Sequence, residues 1–195
     1  MKLFLSTLPL AGLVALSCAS VVQAQELVVN GGFETGNLAP WTVDNTNRNI
    51  VSSDPNYAHT GTFGLFYAAV GVDSPLSQTL TTTPGAIETI SFWQHQLDGT
   101  PNEVTLDFGG NRLLTLTNLV QGPWTQYSVT TTATSTSTIL RFGLRQDPGS
   151  SAIDDISVFQ GSRVAATPEP GTWAMCVGMA ASGGFLLKRR KRTIR

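Results

Sequence analysis

The sequence has little cysteine: its 195 residues include two, Cys18 and Cys176, and each lies near one end of the chain. The long stretch between them therefore has no disulfide, no thiol nucleophile and no thiolate ligand for a transition metal. Residues 25–167 are nevertheless numerous enough to bury a hydrophobic core without covalent cross-links.

Residues 25–167 also contain no lysine. Their five arginines stand against twelve acidic residues, which gives this part of the chain a net charge of −7. The whole-chain value of −1 conceals this imbalance, because six of the twelve basic residues lie beyond residue 187. An acidic surface without basic clusters argues against nucleic acid as a partner. It is compatible with affinity for calcium.

Signals for catalysis are scarce as well. The chain has two histidines, His59 and His95, and no Gly-x-Ser-x-Gly sequence that would present a nucleophilic serine. A glycosidase needs two carboxylates across a cleft, but Asp154 and Asp155 are adjacent and are expected to point to opposite faces of a strand. We therefore expect a protein that is not an enzyme, with a polysaccharide-active hydrolase as the less favoured alternative.

Helical periodicity is absent between the two ends, and short alternating runs take its place. Runs of apolar and polar residues are separated by turn sequences rich in glycine, proline and asparagine. They predict strands at 64–70, 87–95, 104–108, 113–117, 125–132, 138–144 and 153–159. About eight strands at this spacing predict an all-β fold, an antiparallel β-sandwich over residues 25–166.

The N-terminus has the layout of a secretory signal peptide over residues 1–24. Lys2 precedes an apolar stretch from Leu3 to Leu16, and residues 22–24 place small side chains where signal peptidase requires them. We expect cleavage after Ala24. The alternative is a lipobox-like site that would make Cys18 a lipidated N-terminus.

The C-terminus, residues 167–195, contains three segments in order. A Pro168-Glu169-Pro170 motif is followed by an apolar run from Trp173 to Leu187. The run ends in a basic stop formed by Lys188, Arg189, Arg190, Lys191 and Arg192. As a helix it would reach about 22 Å, short of the roughly 30 Å of a membrane core, so we expect a single but marginal transmembrane helix. The basic stop is expected to stay cytoplasmic, which leaves residues 25–167 outside the inner membrane.

This order of segments resembles the PEP-CTERM sorting signal of Gram-negative bacteria. The resemblance implies that Pro168, Glu169 and Pro170 are recognised by exosortase, a membrane protease that processes such tails. It also implies a cell-surface or extracellular protein associated with exopolysaccharide and biofilm. A plain C-terminal membrane anchor is the alternative, and the sequence leaves open whether the tail is cleaved.

The exported part carries a second resemblance. Four segments of this part occur in the order seen in jelly-roll domains of the galactose-binding-like and carbohydrate-binding-module type. They are residues 27–34 with Gly36 and Trp41, His59-Thr60-Gly61, residues 124–127 and the closing segment 152–158. The resemblance implies a jelly roll whose first and last strands lie together. It spans residues 26–160.

In such jelly rolls a structural calcium ion often lies where the first and last strands meet. The resemblance implies that Glu34 and one of Asp154 or Asp155 supply carboxylates to it, a ligand type that calcium prefers. The alternative is that the two aspartates cap the end of their strand by hydrogen bonds to the backbone.

A saccharide site needs an aromatic platform and planar hydrogen-bonding groups on one face. Strand alternation places Trp93 with His95, and Arg141 with Arg145, so the four would line one face if both strands belong to the same sheet. The alternative is that Trp93 packs in the core and the arginines are solvated. Trp41 and Trp124 follow turns and are expected to be core residues.

Two interpretations of function follow from these residues. The first is an exported, non-catalytic surface or matrix protein that binds exopolysaccharide. The second is a structural or adhesion module of the matrix without a saccharide site.

Overall fold

The computed structural model describes residues 24–43 and 48–161. The predicted signal peptide, Pro168-Glu169-Pro170 motif, apolar segment and basic stop lie outside the described residues. Within residues 24–43 and 48–161 no helix is long and apolar enough to cross a membrane.

Every regular element in the described part of the chain is a β-strand. The strands are β1 (Gln25–Glu26), β2 (Thr42–Val43), β3 (Asn49–Ser52), β4 (Gly64–Tyr67), β5 (Ser74–Thr81), β6 (Ile87–Gln96), β7 (Asn102–Phe108), β8 (Asn111–Thr117), β9 (Thr125–Thr132), β10 (Ser137–Gln146) and β11 (Ser151–Gln160). All seven strands predicted from alternation are present, which confirms the all-β prediction.

The strands form two antiparallel sheets. The first sheet has the order β3-β4-β11-β6-β9, and β1 pairs with the end of β11 at Gln160 and Phe159. The second sheet has the order β2-β5-β10-β7-β8. The first and last strands therefore pair directly, as the jelly-roll resemblance implies.

The core lies between the sheets and follows from the period of two in each strand. In β6 the even-numbered residues are buried, with Ile90 and Phe92 at 0% exposure, and in β10 Leu140, Phe142 and Leu144 face them. The rings of Phe92 and Phe142 meet edge to face, with centroids 5.1 Å apart. Outward-facing residues of the two sheets therefore lie on opposite sides of the molecule.

Strand β5 was missed by the sequence reasoning, although it pairs with β10 over eight residues. Its inward positions alternate between polar and apolar types, in the order Ser74, Leu76, Gln78 and Leu80, all of which are buried. The side-chain amide of Gln78 accepts a hydrogen bond from the backbone amide of Val29 and donates one to the carbonyl oxygen of Val29, each at 2.9 Å. Because a hydrogen-bonded polar residue can occupy a buried position, the inward side of β5 does not show the continuous apolar pattern by which strands are recognised in a sequence.

Candidate functional site

The four predicted ligand residues do not form one face. Trp93 and His95 lie on the outer side of the first sheet, on β6, whereas Arg141 and Arg145 lie on the outer side of the second sheet, on β10. The alternation within each strand was predicted correctly. The prediction of a shared face is wrong, because β6 pairs with β9 and β11 and never with β10.

On the first sheet, four rings form what we call the aromatic cluster: His59, Trp93, His95 and Trp124. His59 stacks on Trp93 with centroids 3.9 Å apart and an interplanar angle of 17°. Trp124 lies 5.3 Å from His59 and 4.9 Å from His95. The prediction that Trp124 is a core residue is wrong, since it is half-buried on the outer surface, while Trp41 is buried at 5% exposure.

The aromatic cluster attaches the segment 53–63 to the sheet. Besides the His59 stack, Tyr57 packs edge to face on Phe66 of β4 at 5.1 Å. His95 donates from Nδ1 to the carbonyl oxygen of Asn56 at 2.9 Å. The ring faces of Trp93 and His59 are used in this internal packing, which limits their value as an open sugar platform.

Beside this cluster, the β11 strand departs from regular pairing at its two aspartates. The register with β6 shifts between Asp154 and Ser157, and Asp155 adopts a left-handed conformation with φ of 48°. Such a bulge turns both side chains toward the segment 53–63, so the expectation that they point to opposite faces is wrong. Asp155 accepts a hydrogen bond from His59 Nδ1 at 2.7 Å and one from the hydroxyl of Thr60 at 2.8 Å.

Asp154 is fully buried and accepts backbone hydrogen bonds. Its carboxylate accepts hydrogen bonds from the backbone amides of His59 at 2.7 Å, Thr60 at 3.3 Å and Asp155 at 2.8 Å. Burial raises the pKa of Asp154 to about 6, the amide hydrogen bonds oppose that rise, and the neighbouring Asp155 charge adds to it. A buried carboxylate in this position is out of reach of a substrate.

Of the three predicted calcium ligands, Asp154 and Asp155 place carboxylate oxygens near Gly32, whereas the carboxylate of Glu34 lies against Gly61. A methyl group on Gly32 would lie 3.3 Å from Asp155 Oδ1, 3.9 Å from Asp154 Oδ1 and 3.8 Å from Glu34 Cγ. Glu34 also accepts the amides of Thr62 and Phe63, at 3.0 and 2.9 Å. Each carboxylate thus has protein donors, and no group of three or more acidic, histidine or cysteine side chains within 24–43 and 48–161 is arranged to hold a metal ion.

On the second sheet, charged side chains form what we call the arginine face: Arg112, Arg141 and Arg145 with Asp107 and Asp147. Asp107 lies between two guanidinium groups, paired with Arg112 and 3.2 Å from Arg141 Nη1. Arg145 donates from Nε to Asp147 Oδ2 at 2.5 Å, and Asp147 Oδ1 accepts the amide of Gly71 at 2.6 Å. The ion pairs hold the guanidinium planes while 38% of the Arg141 side chain and 33% of the Arg145 side chain stay exposed.

Between these two arginines the face is polar. Gly143 separates them on β10, and its amide donates to the hydroxyl of Thr105 at 3.2 Å. A methyl group on Gly143 would lie 2.5 Å from Thr105 Oγ1 and 2.7 Å from Asp73 Oδ2, so these two oxygens cover the glycine. The arrangement offers guanidinium donors and carboxylate acceptors side by side, whereas the Thr105 hydroxyl is buried beneath them.

Sequence reasoning missed the acidic partners of this face. Asp107 was placed correctly on a strand, but its pairing with Arg141 depends on the register of β7 against β10, where the two residues are opposite each other. Asp147 follows Arg145 by two residues, and that spacing is the one local signal available for it.

Comparisons with known proteins agree with this architecture. The model of a family described as carbohydrate binding domain matches residues 25–149. A search of curated proteins found no match.

Similar solved structures include TmCBM61 in complex with β-1,4-galactotriose, with a TM-score of 0.59 and 22% identity over 70% of this chain and 99% of that one. The K3 cleaved adhesin domain of Lys-gingipain from Porphyromonas gingivalis has a TM-score of 0.56 and 18% identity over 71% of this chain and 100% of that one. The CBM22-1 xylan-binding domain of Xyn10C from Paenibacillus barcinonensis has a TM-score of 0.50 and 14% identity over 78% and 100%. At these identities the likeness concerns the fold.

Proposed function

The chain belongs to the carbohydrate-binding domain family, and from that membership we propose that it is a non-catalytic protein that binds a polysaccharide through the arginine face. Exported exopolysaccharide is the ligand class we propose. The observation that carries the choice of face is that the side chains of Arg141 and Arg145 remain about one third exposed while each is restrained by an aspartate.

Restraint matters because ordering a long side chain on binding costs free energy. An arginine already held by an ion pair loses less rotamer freedom when it donates to a sugar hydroxyl. The neighbouring carboxylate oxygens of Asp107 and Asp147 can accept from the same sugar. The five side chains of the arginine face include no aromatic ring, so we expect weak binding dominated by hydrogen bonds.

Affinity electrophoresis tests the proposal. The full-length chain in mild detergent is run through gels that contain β-1,4-galactan, xylan or exopolysaccharide from the source bacterium. We expect retention on at least one of them. We also expect the combined replacement of Arg141 and Arg145 by alanine to weaken the affinity by at least about tenfold, because it removes charge-assisted donors.

Arg48→Ala is the matched control, since Arg48 is an exposed arginine that precedes β3 of the other sheet. Retention of the double variant at the wild-type level would move the saccharide site away from the arginine face. No retention of the wild-type chain on any polysaccharide would refute saccharide binding itself.

Calcium binding at Glu34, Asp154 and Asp155 is a further part of the proposal, and it requires the Glu34 carboxylate to turn from the amides of Thr62 and Phe63 toward the two aspartates. Among the residues that the structure describes, His59 is the side chain paired with Asp155 that can carry positive charge. An ion held there would join the segment 53–63 to β11 and neutralise the carboxylates. We expect calcium at about 100 times its dissociation constant to raise the melting temperature by about 5–10 °C over a chelated sample.

Differential scanning calorimetry with EDTA and with calcium measures this effect. The Glu34→Gln variant should respond less, because it removes one carboxylate and keeps the shape of the side chain. A melting temperature that does not move with chelator would show that these carboxylates act through hydrogen bonds to the backbone.

Export and sorting complete the proposal. Signal peptidase cleavage after Ala24 and recognition of Pro168, Glu169 and Pro170 by exosortase would deliver residues 25–167 to the cell surface or matrix. Intact-mass analysis of the protein from its native source would locate both cuts. A mature mass that includes the C-terminal basic stop would support a plain membrane anchor.

A matrix or adhesion module without a saccharide site is the second candidate. The observation that favours it is the aromatic cluster, whose rings pack on one another and on the segment 53–63. The two candidates differ in whether any polysaccharide retains the wild-type chain.

A further inference from the structure

The strands at the margins of the two sheets differ in how open they are to further pairing. In the described part of the chain, β3 and β9 end the first sheet, and β2 and β8 end the second. Strands β1 and β2 have two residues each and β3 has four, which leaves little backbone to pair. Strand β8 has seven residues, but it carries the charged Arg112, and its register with β7 shifts at Asp107. Short length, charge and irregular pairing all protect a sheet edge from other chains.

Strand β9 has none of these protections. It runs for eight residues, Thr125–Thr132, and contains no charged residue, no proline and no glycine. It pairs with β6 over all eight residues without a shift in register. Six of the eight are threonine, tyrosine or valine, which favour extended backbone. We call the side of β9 that faces away from β6 the β9 edge.

Backbone groups of alternate residues point out of the β9 edge. The amide of Ala133 donates to the carbonyl oxygen of Ala86 at 3.0 Å. In an antiparallel pair such a bond lies beside two opposite residues, here Thr132 and Ile87, that do not bond each other directly. The strand residues that direct N–H and C=O groups away from β6 therefore alternate, and all are exposed; they are Gln126, Ser128, Thr130 and Thr132.

Charge favours a second copy of this chain as the partner of the β9 edge. Residues 25–167 have a net charge of −7, so two copies repel each other wherever their carboxylates meet. The β9 edge carries no charge, and the side chains next to it on β6 are neutral as well, since Thr130 lies opposite Thr89 and Ser128 opposite Ser91. Two copies can approach along this edge without bringing like charges together. An antiparallel pair of identical strands is also self-complementary about a two-fold axis.

We propose that the β9 edge pairs with the β9 edge of a second copy, antiparallel, so that the two first sheets become one continuous sheet. A two-fold axis at Ser128 or at Val129 keeps the free backbone groups of both copies opposite each other. It also places serine and threonine side chains of one copy beside those of the other, where their hydroxyls can bond across the strands.

The expected interface is narrow. Eight residues at about 3.4 Å each give a seam of about 27 Å. Contact along a single edge is expected to bury less than about 1,200 Å², which is typical of weak and transient association. The dimer should therefore form reversibly at micromolar to millimolar concentration. It does not depend on the arginine face, which lies on the outer side of the second sheet.

Sedimentation velocity of the full-length chain in mild detergent, from micromolar to millimolar concentration, tests the pairing. We expect a dimer whose fraction rises with concentration. Thr130→Lys places a positive charge on the β9 edge of each copy, and we expect it to weaken dimerisation by at least about tenfold. Thr89→Lys is the matched control, because Thr89 is the exposed residue opposite Thr130 on β6, one strand inside the sheet.

Cross-linking locates the seam. In a chain with Cys18 and Cys176 replaced by serine, a short bis-maleimide should link two copies of Ser128→Cys, because residue 128 lies at or next to the two-fold axis. Ser91→Cys is the matched control, since Ser91 lies opposite Ser128 on β6 and is one strand farther from the seam in each copy. Labelling with a single maleimide shows that both cysteines are accessible.

The outcomes separate this interface from other modes of association. A monomer at every concentration would overturn the proposal and leave the β9 edge to a strand of another polypeptide. Equal dimerisation of Thr130→Lys and Thr89→Lys would overturn it as well, and so would equal cross-linking of Ser128→Cys and Ser91→Cys, because both results place the contact elsewhere. Retention on polysaccharide gels has no bearing on either measurement.

Discussion

A Gly64→Ala substitution is expected to lower the free energy of unfolding by about 3 kcal/mol. Gly64 begins β4 and faces outward, where the segment 53–63 crosses it. The added methyl group would collide with the carbonyl oxygen of Tyr57 and lie 2.6 Å from its carbonyl carbon and 2.9 Å from the Cα atom of Ala58. Because all three are backbone atoms, no side-chain rotation relieves the clash. The segment must move away from the sheet.

Urea denaturation followed by tryptophan fluorescence measures the loss, and near-ultraviolet circular dichroism should report separation of His59 from Trp93. Gly99→Ala is the control, since a methyl group there meets nothing within 4 Å. If the free energies of unfolding of Gly64→Ala and Gly99→Ala agree within about 0.5 kcal/mol, the segment 53–63 is not in close contact with Gly64.

Replacement of Asp154 by alanine is expected to cost about 3–4 kcal/mol of stability, because the buried amides of His59 and Thr60 lose their acceptor. Asp154→Asn keeps an acceptor oxygen and should cost much less at neutral pH. Urea denaturation of the three proteins at about pH 7 gives the comparison. Equal losses for alanine and asparagine would mean that the hydrogen bonds contribute little.

The same carboxyl is expected to make stability depend on pH. Burial raises the pKa of Asp154 from 3.8 to about 6, so between these values the folded protein binds a proton that the unfolded chain does not. Stability from this group is therefore present at low pH and is lost as pH rises through about 4 to 6, by roughly 3 kcal/mol in total. The measurement is the free energy of unfolding without divalent metal at several pH values.

The Asp154→Asn variant isolates that contribution, since its side chain does not titrate. We expect the difference between wild type and Asp154→Asn to change across the window and to become constant above it. Parallel pH profiles for the two proteins would contradict the raised pKa.

The strands that could be predicted from the sequence have apolar residues at two or more successive inward positions. In β10 the apolar residues Leu140, Phe142 and Leu144 alternate with outward polar ones, and the prediction over 138–144 lies within the observed strand. Strand β5 fails this test because Gln78 and Ser74 occupy inward positions. Their burial depends on partners distant in sequence, such as Val29 for Gln78.

The candidate site shows the same limit. Alternation predicted correctly that Trp93 points the same way as His95, and Arg141 the same way as Arg145. It had no information on which sheet each strand joins. Trp124 looked like a core residue because it follows a turn, yet it lies against His59 and His95 on the outer surface.

By itself the sequence determined the composition of residues 25–167, the period of the strands and which side chains share a strand face, because these depend on neighbours a few residues apart. The tertiary structure alone decided that β6 and β10 belong to different sheets. It also decided that a bulge turns Asp154 and Asp155 to the same side, and that Asp107 meets Arg141. These depend on pairing between strands far apart in the chain, and a shift of one residue in pairing or one bulge redirects a side chain without changing the local pattern.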